Sequence, residues 1–183
     1  FCLISSAGYA LNDYLDREAD RQHPRKRLRP IASGRLPVGV AMLLMGGLAA
    51  AGVSLSLLLS PWFLLIAGLY LATTLSYSFR FKHVVVLDIM FLAAHFVWRA
   101  LAGAAAIEVS VSPWFFLATA FGALFIGLSK RHAELKLVGQ SGGATRPILE
   151  QYSEPLIHQL QATVTSGLVI TYALYAFQGP TPW

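Results

Sequence analysis

The sequence has 183 residues and a formal net charge of +5, with 56% hydrophobic and 13% charged residues and a mean hydropathy of +0.58. Soluble domains carry about 25% charged residues, so an ordinary globular domain is excluded and a polytopic membrane protein is expected. The pI of about 9.6 does not signal nucleic acid, because the cations sit in short loops between apolar runs and not on one basic face.

The chain begins at Phe1 inside an apolar run, without an initiator Met or the n-region of a signal peptide. Only about eleven residues precede the first acidic cluster, roughly half of the 20 that a span requires. A fragment is expected, with its first helix truncated and further helices missing downstream of Trp183. Cys2 is the sole cysteine, so no intrachain disulfide can form and the redox compartment stays open.

The most polar stretch follows at once. Asn12, Asp13, Asp16 and Asp20 fall with Tyr9 within roughly 100° of arc on a helix, while Ile4, Ala7, Leu11 and Leu15 lie on the other side. Mg²⁺ prefers oxygen ligands and is commonly held by one or two carboxylates plus substrate phosphates. Asp13, Asp16 and Asp20 supply such carboxylates at spacings of three and four, and Asn12 adds a neutral oxygen. Carboxylates beside hydrocarbon are costly, which favours a metal and phosphate role over a merely solvated helix end. The basic run His23–Arg29 comes next. Juxtamembrane cations also attract anionic lipid and set topology, which accounts for Arg25 and Arg27. Lys26 and Arg29 are candidates for substrate phosphate, because Pro24 and Pro30 stiffen their loop.

Residues 36–79 carry no charge and are too many for one span; Ser60-Pro61-Trp62 marks the break between helices over about 38–59 and 63–79. Gly46, Gly47, Gly52 and Gly68 are small residues of the kind that let membrane helices approach, or that simply face lipid. A third span is expected over about 84–107 and a fourth over 115–128, joined by an outer turn that ends at Ser112-Pro113-Trp114. Residues 139–147 read as a flexible loop, and a last helix runs from Pro155 to about Phe177. The fold class expected is therefore all-α: a polytopic bundle, one membrane domain over 1–183, with about six helices and polar loops at about 17–36, 80–83 and 130–154. Every Lys and Arg except Arg99 lies in or beside those loops, and the opposite turns have none. The positive-inside rule makes the three loops cytosolic.

Within the later spans, Asp88 lies about a turn into an apolar helix, where a carboxylate is functional by default. His95 and Arg99 share its stripe, but Arg99 stands roughly 16 Å away along the axis. Its partner must come from another helix or an anionic head group. Lys82 precedes Asp88, and Lys130, Arg131 and Glu134 form a third charge group at helical spacing.

Together these residues resemble a known family. Asn12-Asp13-x-x-Asp16-x-x-x-Asp20 is similar to the first aspartate motif of the UbiA superfamily of intramembrane prenyltransferases. The longer string through His23-Pro24, Lys26 and Arg29-Pro30-Ile31-Ala32-Ser33-Gly34 resembles its decaprenyl-phosphate phosphoribosyltransferase branch. Tyr77-Ser78, Lys82, Leu87-Asp88, Arg99-Ala100, Ala102-Gly103, Lys130-Arg131 and Glu134 follow in that branch's order. Most of the superfamily carries a second Asp-x-x-x-Asp motif for a prenyl diphosphate; here only Asp88 is present, which fits a branch whose polyprenyl chain is the acceptor.

The resemblance implies a UbiA-like bundle in a bacterial plasma membrane, with its site facing the cytosol. It implies Mg²⁺-dependent transfer from phosphoribosyl pyrophosphate (PRPP) to a polyprenyl phosphate lipid. Asp13, Asp16, Lys82 and Asp88 would be catalytic, and Asn12, Asp13, Asp16 and Asp20 would hold the metal. Asn12, Asp20, Lys26, Arg29, Tyr77, Arg99, Lys130, Arg131 and Glu134 would bind substrate. No nucleic acid is expected, and a homo-oligomer stays open. The alternatives are a prenyltransferase acting on an aromatic or lipid acceptor, which the single Asp88 disfavours, and a cation transporter. The transporter would require carboxylates near mid-membrane at broken helices, not at a helix end.

Overall fold

A computed structural model describes residues 1–23, 25–141 and 151–178, with the side chains of 137–141 excepted. Seven α-helices occur among the described residues: α1 (Cys2–Leu15), α2 (Arg17–Gln22), α3 (Val38–Leu57), α4 (Pro61–Phe79), α5 (Leu87–Ala106), α6 (Pro113–Ser141) and α7 (Glu154–Gln178). Short 3-10 turns lie at Lys26–Leu28 and Phe81–His83. The last five α-helices are long and apolar enough to cross a membrane, as the all-α expectation required, and the protein is an integral membrane protein. The chain divides into two compact units, Phe1–Arg80 and Phe81–Trp183.

In the first unit α1 packs against α3 and α4. Ser60 caps α4 by accepting from the Phe63 N–H at 3.1 Å, and Pro61 takes the first helical position, where a missing N–H costs nothing. This is the break anticipated from Ser-Pro-Trp. Gly52 of α3 lies against Leu3 and Ile4 at the start of α1. Phe1 meets Phe63 and Tyr70 edge-on, and Gly8 lies against Thr74, so α4 runs parallel to α1. Among the small residues singled out, only Gly52 is needed for close approach; nothing lies within 4 Å of a Cβ at Gly46, Gly47 or Gly68.

In the second unit α6 packs against both α5 and α7. Ile89, Leu128, Tyr152, Ile157 and Val164 form its core. Gly127 admits Ile89, and Gly167 admits Phe121.

Two boundaries differ from expectation. α5 begins at Leu87, not about residue 84, because the 3-10 turn and Val86, at φ +68°, interrupt the backbone before it. α6 does not end at 128. It continues through Ser141, so Lys130, Arg131 and Glu134 stand on a helix and not in a loop. Charged residues end an apolar run without ending a helix, and Lys, Arg and Glu are good helix formers. The helical part of the expected loop 139–147 is 139–141; residues 142–147 lie outside the described residues.

The Gly52 contact can be tested in the full-length protein. A methyl at this position would sit 2.5 Å from Ile4 Cγ1 and 3.2 Å from the Ile4 backbone nitrogen. Gly52→Ala is expected to cost about 1–3 kcal/mol, read as a lower unfolding midpoint in detergent. Gly46→Ala, with open space around it, is expected to leave the midpoint unchanged or raise it.

Candidate functional site

The first unit carries the acidic cluster. Although α1 ends at Leu15, Asp16 keeps near-helical angles (φ −87°, ψ 0°). Its N–H donates to the Asn12 carbonyl at 2.9 Å, and the Asp20 N–H donates to the Asp16 carbonyl at 2.8 Å. Two i→i−4 bonds therefore bridge the turn at Asp16 between the helices, and Asp13 and Asp20, seven residues apart, come to one side. Arg29 joins them: its Nη1 donates to Asp13 Oδ1 at 2.7 Å and to Asp20 Oδ2 at 2.9 Å. Asp20 is almost fully buried, while Asp13 and Arg29 are partly open.

The loop is folded to deliver that guanidinium. Ile31 and Ala32 are buried, Arg21 Nε donates to the Ala32 carbonyl at 3.0 Å, and the Leu36 N–H donates to the Pro30 carbonyl at 3.0 Å. Gly34, at φ +76°, makes the turn that an L side chain would strain. His23 Nδ1 accepts from the Arg25 and Lys26 N–H groups at 3.2 and 3.3 Å, which fixes the 3-10 turn bearing the half-buried Lys26. Arg25 and Arg27 are exposed.

Asn12 Nδ2 donates to Asp16 Oδ2 at 3.1 Å. A carboxylate only accepts, so this bond fixes the amide orientation. It leaves Asn12 Oδ1 buried without a partner. Tyr77 is half-buried in the last turn of α4, three residues beyond the Thr74 contact with α1.

Among the described residues, no three His, Cys, Asp or Glu side chains form a ready metal cluster. Asp13 and Asp20 meet at Arg29, and Asp16 is engaged by Asn12. The donor set nonetheless fits a hard cation. Burial pushes the Asp13 carboxyl above its ordinary range; Arg29 opposes this, while Asp20 and Asp16 add to it. An oxygen-ligated ion that keeps several waters needs only one or two of these carboxylates.

In the second unit the expected site residues take different positions. Asp88 has no exposed surface. Its Oδ2 accepts from Arg131 Nε at 2.7 Å and its Oδ1 from Tyr152 Oη at 2.6 Å. Arg131, also buried, donates through Nη1 to Glu134 Oε2 at 2.5 Å. The Tyr152 hydroxyl in turn accepts from the Val86 N–H at 2.8 Å. Val86 is β-branched at positive φ, a conformation that persists only when its surroundings hold it.

The sequence reading missed Tyr152 and Val86, and it named His23 without its capping role. No periodicity marks these roles, since each residue acts through tertiary or turn contacts. Lys82 is half-buried in the 3-10 turn before Val86, and Lys130 is exposed on α6. Arg99 lies with its guanidinium carbon 5.8 Å from the Phe96 ring centre, inside the α5 span.

Comparison with known proteins agrees with this architecture. The sequence model of the UbiA prenyltransferase family matches residues 1–183. A decaprenyl-phosphate phosphoribosyltransferase of Mycolicibacterium smegmatis is 41% identical over 177 residues, covering 97% of this chain and 56% of that protein. The enzyme of the same name from Corynebacterium glutamicum is 41% identical over 179 residues, covering 97% and 54%. This chain therefore spans little more than half the length of the curated relatives it matches. A UbiA homolog from Archaeoglobus fulgidus, solved bound to GPP and Mg²⁺, superposes with a TM-score of 0.76 at 20% identity over 96% of this chain and 62% of that one.

Two measurements test the Asp88 network. Asp88→Ala takes one of two carboxylate partners from a nearly inaccessible guanidinium and is expected to cost about 3–5 kcal/mol, read as a large drop in the unfolding midpoint of the full-length protein. Burial, then the bond to Asp88, raises the Tyr152 hydroxyl well above tyrosine's ordinary range. A raised folded-state value gives stability that is present in full below tyrosine's usual ionisation near pH 10 and is lost as pH rises beyond it. Tyr152→Phe is therefore expected to flatten the alkaline limb of a stability–pH profile.

Proposed function

Since this chain belongs to the UbiA prenyltransferase family, we propose that the whole protein is a membrane-embedded transferase moving a 5-phosphoribosyl group from PRPP to a polyprenyl phosphate. The observation that supports this reading is the state of Asp88, the one carboxylate that the resemblance offers in place of a second aspartate pair: both its oxygens are bonded, to Arg131 and Tyr152. A second metal-bound prenyl diphosphate has no carboxylate to receive it there. The names of the relatives support the same donor and acceptor.

In the reaction the C1–oxygen bond to pyrophosphate breaks, the electron pair leaving with pyrophosphate, and a new C1–oxygen bond forms to the lipid phosphate. That nucleophile is already ionised, so no strong general base is required. Asp13, Asp16 and Asp20 would hold a divalent metal, which when bound supplies charge neutralisation at the leaving diphosphate. Mg²⁺ is the ion in the solved A. fulgidus homolog.

Arg29, pre-set by Asp13 and Asp20, and Lys26, held by the His23-capped turn, bind phosphate oxygens and stabilise the charge that develops on pyrophosphate. Asn12 orients Asp16. Lys82, Lys130, Tyr77 and Arg99 serve the substrates' anionic and polar groups. Asp88 and Glu134 fix Arg131 and act as positioning groups, not by touching the reacting atoms. The charged helix ends face the cytosol of a bacterial cell by the positive-inside rule, where PRPP is available.

The test uses the full-length protein in membranes. Labelled PRPP with polyprenyl phosphate is compared with labelled prenyl diphosphate and aromatic acceptors, each with and without EDTA. Lipid-phase label is expected from PRPP alone and is expected to vanish with EDTA; label appearing only from prenyl diphosphate overturns the proposal. Asp13→Ala and Asp16→Ala are each expected to lower transfer by about 10²–10³-fold. Undiminished transfer in both variants would remove the metal assignment.

A further inference from the structure

Among the described residues of the first unit, two buried oxygens lack a hydrogen-bond partner. Asn12 Oδ1 is one, its orientation fixed by the bond from Nδ2 to Asp16. Ser78 Oγ is the other, on a residue only 3% exposed. A buried hydroxyl on a helix normally satisfies itself on the carbonyl one turn back. Ser56, Thr74 and Thr171 all do so, bonding Gly52, Tyr70 and Gly167 at 2.7 Å each. Ser78 does not.

The two orphans are not scattered. α1 and α4 run parallel, with Gly8 against Thr74. Asn12 is four residues beyond Gly8, and Ser78 four beyond Thr74. They occupy the next helical turn of the same helix pair, toward the end that carries Asp13, Asp16 and Asp20. One orphan can only accept; the other can donate or accept. A single ligand hydroxyl set between them would donate to Asn12 Oδ1 and accept from Ser78 Oγ.

We infer that Asn12 Oδ1 and Ser78 Oγ form a hydroxyl-recognition subsite that reads a ribose hydroxyl of the phosphoribosyl donor. This rests on the proposed function and deepens it. A prenyl diphosphate offers only hydrocarbon at the corresponding distance from its diphosphate, so it would leave both oxygens unpaired. Leaving a site's buried polar groups unpaired is a strong form of discrimination. The inference gives Asn12 Oδ1 to the sugar and leaves the metal to the carboxylates.

The experiment is a substrate-by-variant comparison on the full-length protein in membranes. Wild type and Ser78→Ala are assayed with PRPP and with its 2-deoxy and 3-deoxy analogues. Ser78→Ala is expected to raise the KM for PRPP about three- to tenfold, the value of one neutral hydrogen bond, with kcat little changed. The penalty is expected to disappear with the analogue that lacks the recognised hydroxyl. The same variant is expected to hold or raise its unfolding midpoint without substrate, because it removes an unsatisfied buried group.

An equal penalty with all three donors overturns the inference and assigns the place to an ordered water or to packing. No penalty with PRPP also overturns it. Each of these results is read only against a wild type that transfers from PRPP. A wild type that uses prenyl diphosphate and not PRPP instead overturns the proposed function, and the sugar subsite with it.

Discussion

The polar end of the first unit depends on one guanidinium shared between two carboxylates. Asp13 near the end of α1 and Asp20 on α2 stand seven residues apart, and Arg29 returns from the loop to hold both. Without it, like charges one and two turns apart beside an apolar helix would repel each other and resist burial. With it, the loop has a fixed course: Ile31 and Ala32 go under, Arg21 ties down the Ala32 carbonyl, and Gly34 turns the chain toward α3. The same contact prepares the chemistry. An arginine already oriented by carboxylates can offer its remaining N–H groups to a phosphate without first losing side-chain freedom.

The second unit handles buried charge by a different route. Asp88 and Arg131 are closed off from solvent and satisfied on every side, by each other, by Tyr152 and by Glu134. Such a pair contributes little net stability compared with an apolar replacement. What it supplies is placement. Through Tyr152 it reaches the Val86 N–H and holds the strained entry to α5, so the turn carrying Lys82 has one course.

Much of this was legible in the residues. The acidic face could be read because Asp16 keeps near-helical angles across the short break between α1 and α2, so a simple angular count still applied to Asp13 and Asp20. The Ser60-Pro61 junction could be read because cap and N1 chemistry are local. Asp88 was harder. An intramembrane carboxylate is functional by default, and that rule pointed to catalysis. Its partners lie at Arg131 and Tyr152, 43 and 64 positions away, and nothing in the local pattern connects them. The length of α6 escaped for another reason: the signal at Lys130 and Arg131 reports where apolar residues end, and a helix built from good helix formers has no cause to stop there.

The polar atoms thus sort by whether their bonding is complete. Arg131, Asp88 and Tyr152 bond to one another and to Glu134 and Val86 inside the chain. Asn12 and Ser78 keep an oxygen each that costs stability to bury unpaired. A packed helix pair has easy remedies, since Thr74 solves the same problem one turn earlier by donating to the Tyr70 carbonyl. That the remedy is absent beside the carboxylates, and present elsewhere along the same helix, is what separates a ligand position from ordinary packing.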